Sequence, residues 1–374
     1  MNSHILKPGC IQECPACPHR HLSYGESLAA KQEWVIKRMR EFAPCVDKIR
    51  GVNENKLWNY RSKVCLSAEY EEKAWKVGIR RKEQIYAIHD CPVHDVTVNQ
   101  NIKLLISVLP EKEKFPLAYY MQSGAQLTLV VKSKNLPNLS WLDDKITEKL
   151  KENGIEGLWL HLHPSAGKKV TGKGGWYLIA GKPRSVNTSG MIYGPSSFQQ
   201  VIPELYSNSL TEAVNFLTPD SNSAVIDLYC GIGASLQQWI RSGSKTLGVE
   251  LSGEALECAS QNAPEAELLR GSCRHRIPQL EEYVQKADSK NKEILMYVNP
   301  PRTGLEAEVT EWISKKLHPG KIAYLSCSAG TLHRDLNYMQ EYGLMVKKII
   351  PYDFFPHTLH VEMLALIEKS EQTG

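Results

Sequence analysis

Hydrophobic and polar residues follow one pattern up to about residue 190 of the 374-residue chain and a different pattern after it. After that point, strand-like apolar segments alternate with segments of helical spacing. The apolar segments are SAVIDLYCGIG, SKTLGVEL, EILMYVNPP, KIAYLSCS and VEMLALIEK. Strands that alternate with helices predict a doubly wound parallel sheet, because each helix returns the chain to the same edge of the sheet. We therefore predict an α/β, Rossmann-like domain over residues 189–374.

The first half of the chain has shorter and more mixed elements. Residues 26–42 carry apolar positions at helical spacing and predict an amphipathic helix. Residues 56–90 contain short aromatic and β-branched runs that predict antiparallel strands. Helix and strand patterns then mix up to residue 188. We predict a β-rich segment over residues 1–95 and a small α+β domain over residues 96–188.

The positive charge is concentrated in the first half. Residues 1–190 hold 29 Lys and Arg against 19 Asp and Glu, whereas the rest of the chain holds 16 against 22. An excess of this kind indicates a surface that faces a polyanion, although a solvated basic face fits the count equally well. The candidate contacts are two basic stretches: Lys168, Lys169 and Lys173 near Trp176, and Arg80-Arg81-Lys82.

Neither a membrane span nor an apolar signal core is visible in the sequence. No apolar run approaches the roughly 20 residues that a span needs, and the start of the chain lacks a signal core. We therefore expect a cytoplasmic protein, and we expect it to be a monomer. Ten cysteines in such a protein favour ligands, nucleophiles or core residues over disulfides.

A glycine loop follows the first apolar run of the second half. The stretch Asp227-Leu-Tyr-Cys-Gly-Ile-Gly233 ends a predicted strand and opens a helix, where backbone N–H groups are free to bind a ligand. The third glycine of the dinucleotide pattern is missing, because position 236 is Leu. Glu250 ends the next strand and could accept two ribose hydroxyls. Together these features favour S-adenosylmethionine over NAD, although the loop alone could be a structural turn.

Three further residues lie at predicted strand ends of the same sheet. Asn299 opens Asn-Pro-Pro-Arg-Thr-Gly, whose prolines fix an extended turn. Cys327 lies just before a predicted helix, whose N-terminus would favour the thiolate. Glu362 enters the last strand and could act as a general base. Taken singly, each has a plainer interpretation: a rigid turn, a small core residue and a solvated edge residue.

Considered together, a cysteine, a base and a methyl donor suit methylation at C5 of uracil. That carbon is a poor nucleophile until a thiolate attacks C6 and creates an enolate. The enolate takes the methyl group, a base removes the C5 proton, and elimination releases the cysteine. Arg302 stands where methyltransferases that act on exocyclic amines carry an aromatic residue, which argues against amine chemistry.

The motifs DLYCGIG, VNPPRTGL, YLSCSAGTLHRDL and FPHTLHVEML, in this order, resemble those of the RNA (uracil-5-)-methyltransferases, which make 5-methyluridine in rRNA and tRNA. The resemblance extends to PSSFQQ at residues 195–200 and to YRSKV at residues 60–64, and so spans nearly the whole chain. It departs from the family at Gln199, at Ile202 and around Gly271, where altered cofactor contacts are expected.

The resemblance implies a role for each matching residue. Those that would bind the cofactor S-adenosylmethionine are Gln200, Tyr229, Glu250 and Asn299. Cys327 would be the nucleophile, and Glu362 would be the base. A target uracil must be unpaired or flipped out of its stack before both faces of C5–C6 can be reached. RNA is therefore the expected partner, held by phosphate contacts and aromatic stacking.

A cysteine cluster stands at the start of the chain. Cys10, Cys14 and Cys17 have a spacing similar to that of radical S-adenosylmethionine enzymes, but no strand precedes them and Ala16 replaces the usual aromatic residue. Many members of the methyltransferase family carry three such cysteines and a fourth before a proline, as Cys91 is here. The resemblance implies that these four cysteines hold a [4Fe–4S] cluster; a zinc ion is the alternative.

No extra small β-barrel precedes the cysteines, so the chain resembles the shorter, rRNA-modifying branch of the family. We therefore expect 23S rRNA as the substrate, with tRNA as the second choice. Two other classes stay open at this point: a radical enzyme, and a catalytically silent iron–sulfur protein that binds RNA.

Overall fold

The computed structural model describes residues 6–167, 169–172 and 174–370, and these residues form two compact units. The first unit consists of Met1–His21 and Asn53–Val201, and the second consists of Leu22–Val52 and Ile202–Gly374. The second unit therefore combines the C-terminal half of the chain with a segment from near its start.

The described α-helices range from one and a half to about four turns, and a π-helical turn at Trp312–Leu317 continues the eighth of them. In chain order they are α1 (Tyr24–Arg38), α2 (Val96–Val108), α3 (Asp144–Glu152), α4 (Pro203–Leu217), α5 (Leu236–Arg241), α6 (Gly253–Asn262), α7 (Cys273–Asp288), α8 (Ala307–Glu311) and α9 (Ala329–Glu341).

The described strands belong to two large sheets and one short hairpin. Those of the first unit are β1 (Lys63–Glu71), β2 (Ala74–Arg81), β3 (Gln84–Ala87), β4 (Leu117–Ser123), β5 (Gln126–Val131), β6 (Gly157–Leu162), β7 (Trp176–Gly181), β8 (Ser185–Val186) and β9 (Ile192–Tyr193). Those of the second unit are β10 (Ser223–Leu228), β11 (Lys245–Glu250), β12 (Glu267–Arg270), β13 (Glu293–Val298), β14 (Lys321–Ser326), β15 (Leu344–Tyr352) and β16 (Glu362–Lys369).

One sheet runs through the whole of the first unit, in the order β3-β2-β1-β4-β5-β6-β7. Its centre is the antiparallel pairing of β1 with β4, in which Lys63 is opposite Ser123. This pairing crosses residue 95, where the sequence predicts a domain boundary. The predicted segments 1–95 and 96–188 therefore form one unit here. A pairing between residues 60 positions apart leaves no trace in the local alternation of apolar and polar residues.

The sheet of the second unit has the order β12-β11-β10-β13-β14-β16-β15. The first five strands are parallel, and β16 and β15 are antiparallel to their neighbours. All six residues of β10 are buried, as expected for a parallel strand that is covered on both faces. The predicted α/β sheet is confirmed for its five parallel strands, whereas the last strand of the chain, β16, which the sequence predicts to be parallel, is antiparallel.

Residues 22–52 belong to this second unit, whereas the sequence analysis placed them in the N-terminal segment. Helix α1 starts with a capping box between Ser23 and Glu26. Its buried Val35 joins the core beneath the sheet of the second unit. The chain then pairs with the outer edge of β15 through the bridge between Val46 and Ile349. A sheet edge that is partly covered in this way has fewer unpaired backbone groups to attract another strand.

None of the helices in the described part of the chain is both long enough and apolar enough to cross a lipid bilayer.

Candidate active site

The order of the strands brings five predicted site residues to one edge of the second sheet. Across the sheet these are Glu250 at the end of β11, Tyr229 after β10, Asn299 after β13, Cys327 after β14 and Glu362 at the start of β16. Strands lie ~4.8 Å apart, so Glu250 and Cys327 are separated by roughly 14 Å across the edge. Ligands of doubly wound sheets bind at this edge.

Glu250 and the glycine loop are tied together by backbone hydrogen bonds. The N–H of Gly231 donates to Oε2 of Glu250 at 3.1 Å, and the N–H of Ser252 donates to Oε1 at 2.7 Å. Each carboxylate oxygen retains a second lone pair, which a ribose hydroxyl could use. Gly231 has a φ of +56°, and no atom lies within 4 Å of the position that a Cβ would occupy. The loop is therefore open where a cofactor would approach the backbone, and the residues present fit S-adenosylmethionine.

Tyr229 has an unusual backbone conformation for a large residue, with a φ of +63°. Such a conformation costs of the order of 1 kcal/mol and is typical of functional sites. Its hydroxyl donates to Oε2 of Glu306 at 3.5 Å, and the N–H of Arg274 donates to the same oxygen at 3.2 Å. Glu306 thereby links the glycine loop to the start of α7.

Beneath the glycine loop, Asp227 is fully buried at the end of β10. Burial raises the pKa of its carboxyl to about 7, although hydrogen bonds from Ser235 and Trp239 act in the opposite direction. The indole Nε1 of Trp239 donates to Oδ2 of Asp227 at 2.8 Å. A partly protonated carboxyl thus anchors the loop that leads to Tyr229.

The loop that follows β13 is held by two residues that the sequence analysis did not single out. The buried Asp335 of α9 accepts the backbone N–H of Leu305 at 3.0 Å and the hydroxyl of Tyr324 at 2.7 Å. The Arg334 guanidinium pairs with Asp335 at 2.7 Å and donates to the carbonyl of Thr303. These contacts fix the turn that starts at Asn299. The adjacent charges of Arg334 and Asp335, within the motif YLSCSAGTLHRDL, were the sequence feature that could have indicated this role.

The environment of the Cys327 thiol contains charges of both signs. Burial raises its pKa, the nearby charge of Glu362 raises it further, and the Arg302 guanidinium, which hydrogen-bonds to the thiol, lowers it. Cys327 lies just before α9, whose N-terminus adds a further positive field. Glu362 is 3% exposed. The charges of a buried carboxylate and a guanidinium thus both act on the thiol at this edge of the sheet.

Gln200, the fourth predicted cofactor residue, lies in the first unit, in the irregular stretch after β9. Its neighbour Gln199 has a structural role in that unit, because its side chain accepts a hydrogen bond from Asn187 at 2.9 Å and donates to Ser123 at 3.4 Å. Ile202, another departure from the family pattern, is buried and caps α4.

The four cysteines of the predicted cluster line one pocket in the first unit, and all four are free thiols. Burial, followed by the charges of Cys91, Cys14 and Cys10, raises the pKa of Cys17 to about 12. The four sulfurs are thus close enough to influence one another. Four reduced thiols that share one pocket are a donor set that either an iron–sulfur cluster or a zinc ion could use.

A glycine makes this convergence possible. Gly9 has a φ of +83°, and a Cβ there would lie 2.0 Å from the carbonyl oxygen of Asp90. The N-terminal loop can therefore pack against the turn that carries Cys91. The Arg20 guanidinium fixes the same loop by donating to the carbonyl of Cys14 at 2.6 Å. Within the described residues, however, no group of three or more His, Cys, Asp or Glu side chains is arranged to hold a metal ion.

Of the two predicted RNA-binding stretches, one lies only partly within the described residues and the other lies wholly within them. Lys168 and Lys173 lie outside the described residues. The carbonyl of Lys169 contacts the ring of His163, and Trp176 stacks on His161 at 4.4 Å, so one face of the indole is already covered. In the hairpin between β2 and β3, Arg80 pairs with Glu69, whereas Arg81 and Lys82 are exposed.

The sheet, the open glycine loop and the carboxylate beside it define a class of protein, the Rossmann-like methyltransferases that use S-adenosylmethionine. Within that class, the chain belongs to the tRNA (uracil-5-)-methyltransferase family, whose model matches residues 23–370. It is therefore an S-adenosylmethionine-dependent RNA (uracil-5-)-methyltransferase, and the family predicted from the sequence motifs is confirmed.

Individual relatives cover almost the whole chain. An uncharacterised RNA methyltransferase of Clostridium tetani is 30% identical over 392 aligned residues, which cover 97% of this chain and 83% of the relative. The 23S rRNA (uracil(1939)-C(5))-methyltransferase RlmD of Vibrio parahaemolyticus is 27% identical, with 98% of this chain and 84% of the relative covered.

A solved structure supports the fold. The tRNA (uracil-54, C5)-methyltransferase of Pyrococcus abyssi, in complex with S-adenosyl-L-homocysteine, has a TM-score of 0.72 to this chain at 22% identity. The alignment covers 96% of this chain and 86% of the other. The parallel sheet of the second unit is also unlike the barrel of radical S-adenosylmethionine enzymes, which removes the structural basis for that alternative.

Proposed function

We propose that this enzyme methylates C5 of one uridine in 23S rRNA through a covalent bond between Cys327 and C6 of the uracil. The observation that carries the proposal is the position of Cys327 and Glu362 beside the end of the β14–β16 ladder, where the charges of Glu362 and Arg302 both act on the thiol. When bound, S-adenosylmethionine supplies an electrophilic methyl group. A cysteine beside a buried carboxylate matches the two protein groups that C5 methylation needs.

In this proposal each residue has one role. Cys327 attacks C6 as a thiolate, aided by the Arg302 guanidinium and the N-terminus of α9. Glu362 then removes the C5 proton, so that the C5–H electron pair forms the C5–C6 double bond and Cys327 leaves. The residues that we propose hold the cofactor are Gln200, Tyr229, Glu250 and Asn299.

We further propose that Cys10, Cys14, Cys17 and Cys91 hold a [4Fe–4S] cluster with four protein ligands. The sharing of one pocket by the four thiols supports this assignment. Such a cluster would stabilise the N-terminal loop against the β-rich part of the first unit. Zinc bound to the same thiolates is the alternative. Iron and sulfide analysis of anaerobically reconstituted protein distinguishes the two, because zinc binding requires no sulfide.

The proposed RNA contacts are the exposed residues of the basic first half, including Arg81, Lys82 and Lys169. The RlmD relatives support 23S rRNA as the substrate. We propose the cytoplasm as the place of action. Transfer RNA is the second candidate, since the matching family model is described as tRNA (uracil-5-)-methyltransferase. Methyl transfer to unmodified 23S rRNA transcripts and to unmodified tRNA, measured side by side with the same protein, decides between them.

The test of the mechanism uses RNA that contains 5-fluorouridine. Fluorine at C5 cannot leave as a proton, so the reaction stalls after methyl transfer with the protein still bound to C6. We expect a denaturant-resistant protein–RNA adduct with the wild type and none with Cys327→Ser. The absence of an adduct, with cofactor and RNA binding both intact, would remove Cys327 from its role.

A further inference from the structure

A lysine occupies the buried face of α1, where an apolar residue is expected. The inward positions of this helix are Ser27, Lys31 and Val35, which follow one another at intervals of four. Lys31 is 2% exposed. Burial of an ammonium group is strongly unfavourable unless it is paired and hydrogen-bonded. The partners of Lys31 therefore indicate why the charge is there.

Lys31 holds the segment that leads to the proposed base. Its Nζ pairs with Oδ1 of the fully buried Asp353 at 2.5 Å and donates to the carbonyl oxygen of Phe355 at 3.1 Å. Both partners belong to residues 353–361, which we call the base turn because it connects β15 to Glu362. The helix and the base turn are more than 300 positions apart in the sequence.

A series of hydrogen bonds connects Phe355, which Lys31 contacts, to the rest of the base turn. The Phe355 carbonyl also accepts the backbone N–H of Thr358 at 3.2 Å and its Oγ1 hydroxyl at 2.8 Å. The same Oγ1 accepts the N–H of His360 at 3.1 Å. His357, at the centre of the turn, has a φ of +66° and is buried. Glu362 follows two residues after His360, so this network determines where its backbone enters β16.

We propose that Lys31 is a positioning residue for Glu362: it fixes the base turn so that the carboxylate can reach the C5 proton of the methylated uracil. This inference rests on the proposed function, because it takes Glu362 as the base. The step that it controls moves the C5 proton to Glu362, while the C5–H pair forms C5=C6 and the C6–S bond breaks to release the Cys327 thiolate. The attack and methyl transfer that come before this step do not use Glu362.

Because proton removal comes last, a Lys31 variant that displaces the base should accumulate a covalent intermediate. A merely structural role of Lys31 would not produce this result. If the base is displaced, Cys327 can still attack and the methyl group can still be transferred. The enzyme then accumulates as a methylated covalent adduct on ordinary uridine RNA. A variant that is only less stable would instead lose adduct and product together.

The experiment measures this adduct on denaturing gels, with wild-type protein and the uridine-containing transcript that it methylates. We expect Lys31→Met to increase the adduct at least about tenfold and to lower kcat with little change in KM. Thr358→Val loosens the same turn without removing the buried charge. It should give the same result with a smaller increase, and it decides the question if Lys31→Met does not fold.

Two further variants separate the possible explanations. Gln32→Leu is the matched control, because Gln32 neighbours Lys31 on α1 and hydrogen-bonds to the backbone of Asp47 and Ile49, which lie outside the base turn. It should give no excess adduct. Glu362→Gln is the reference variant, because it shows how much adduct accumulates when the base itself is removed. An adduct with Glu362→Gln but not with the Lys31 and Thr358 variants would overturn the inference alone. No adduct with Glu362→Gln would overturn the base assignment and the inference together, and an adduct with Gln32→Leu would show general loosening of the segment and overturn the role of Lys31.

Discussion

Cys327 directly follows Ser326, and Glu362 directly precedes Met363, and these two neighbours form the last pair of the antiparallel ladder of β14 and β16. Residues directly opposite in such a ladder project from the same face of the sheet, with Cα atoms ~5 Å apart. The end of this ladder therefore brings the backbones of the proposed nucleophile and base close together, and the base turn fixes how Glu362 enters β16. The reactivity of Cys327 depends on this relationship.

The first prediction concerns the reactivity of Cys327. Because the charge of Glu362 raises the pKa of this thiol, Glu362→Gln should lower the pKa and increase the thiolate fraction at neutral pH. We expect severalfold faster alkylation of Cys327 by iodoacetamide at pH 7, followed by peptide mass spectrometry. Glu368→Gln, on the same strand but paired with Lys347, is the control and should leave the rate unchanged.

The second prediction concerns the pH dependence of stability at Asp227. Its pKa is raised to about 7 when folded, so stability is fully present below the unfolded pKa of 3.8 and is lost as the pH rises towards 7. Asp227→Asn should raise the free energy of unfolding at pH 8 by up to about 4 kcal/mol and leave it nearly unchanged at pH 4. Urea denaturation at both pH values measures this.

The control for that experiment is Asp220→Asn. Hydrogen bonds from Ser223 and Asn222 lower the pKa of Asp220, so the sign is reversed and this variant should gain no stability at pH 8. A pH-independent effect of Asp227→Asn would contradict the predicted ionisation.

The third prediction concerns Asp335, which holds the turn that starts at Asn299. Asp335→Asn weakens the charge-assisted bonds to Arg334 and the bonds to Leu305 and Tyr324. We expect the free energy of unfolding to fall by about 2 kcal/mol and methylation to fall by more than the loss of folded protein explains. The exposed Glu341→Gln, on the same helix, should change neither.

The fourth prediction concerns the proposed iron–sulfur cluster. Gly9→Ala would place a Cβ 2.0 Å from the Asp90 carbonyl in a left-handed conformation, and so move Cys10 away from Cys91. Iron bound after reconstitution should fall by at least half. Gly25→Ala is the matched control, because a Cβ there meets nothing within 4 Å. Equal iron content in the two variants would argue against Cys10 as a ligand.

The fifth prediction concerns the hairpin between β2 and β3. If Arg81 and Lys82 contact RNA phosphates, charge reversal of both to Glu should weaken binding and reduce the slope of log K against log salt by about 1.4, or roughly 0.7 for each contact. Lys290→Glu, an exposed lysine in the acidic half of the chain, serves as the control. An unchanged slope would exclude the hairpin from the RNA interface.

Much of the candidate site could be predicted because its residues lie at strand ends. Glu250, Asn299 and Cys327 each follow an apolar run, and parallel strands bring such positions to one edge whatever the remaining packing is. Asp335 and Lys31 could not be found in this way. Each is a charged residue on a helix, and its partners, Leu305 or Asp353, are distant in the sequence.

The sequence by itself determined the α/β class of the second half, the strand ends at which chemistry is expected, and the family. These are local properties, set by the alternation of apolar and polar residues and by short motifs. Only the tertiary structure decided that residues 22–52 join the C-terminal sheet, that one sheet crosses residue 95, and that Lys31 meets the base turn. Those outcomes depend on pairing and burial between distant segments, whose free energy is gained only when both surfaces are present.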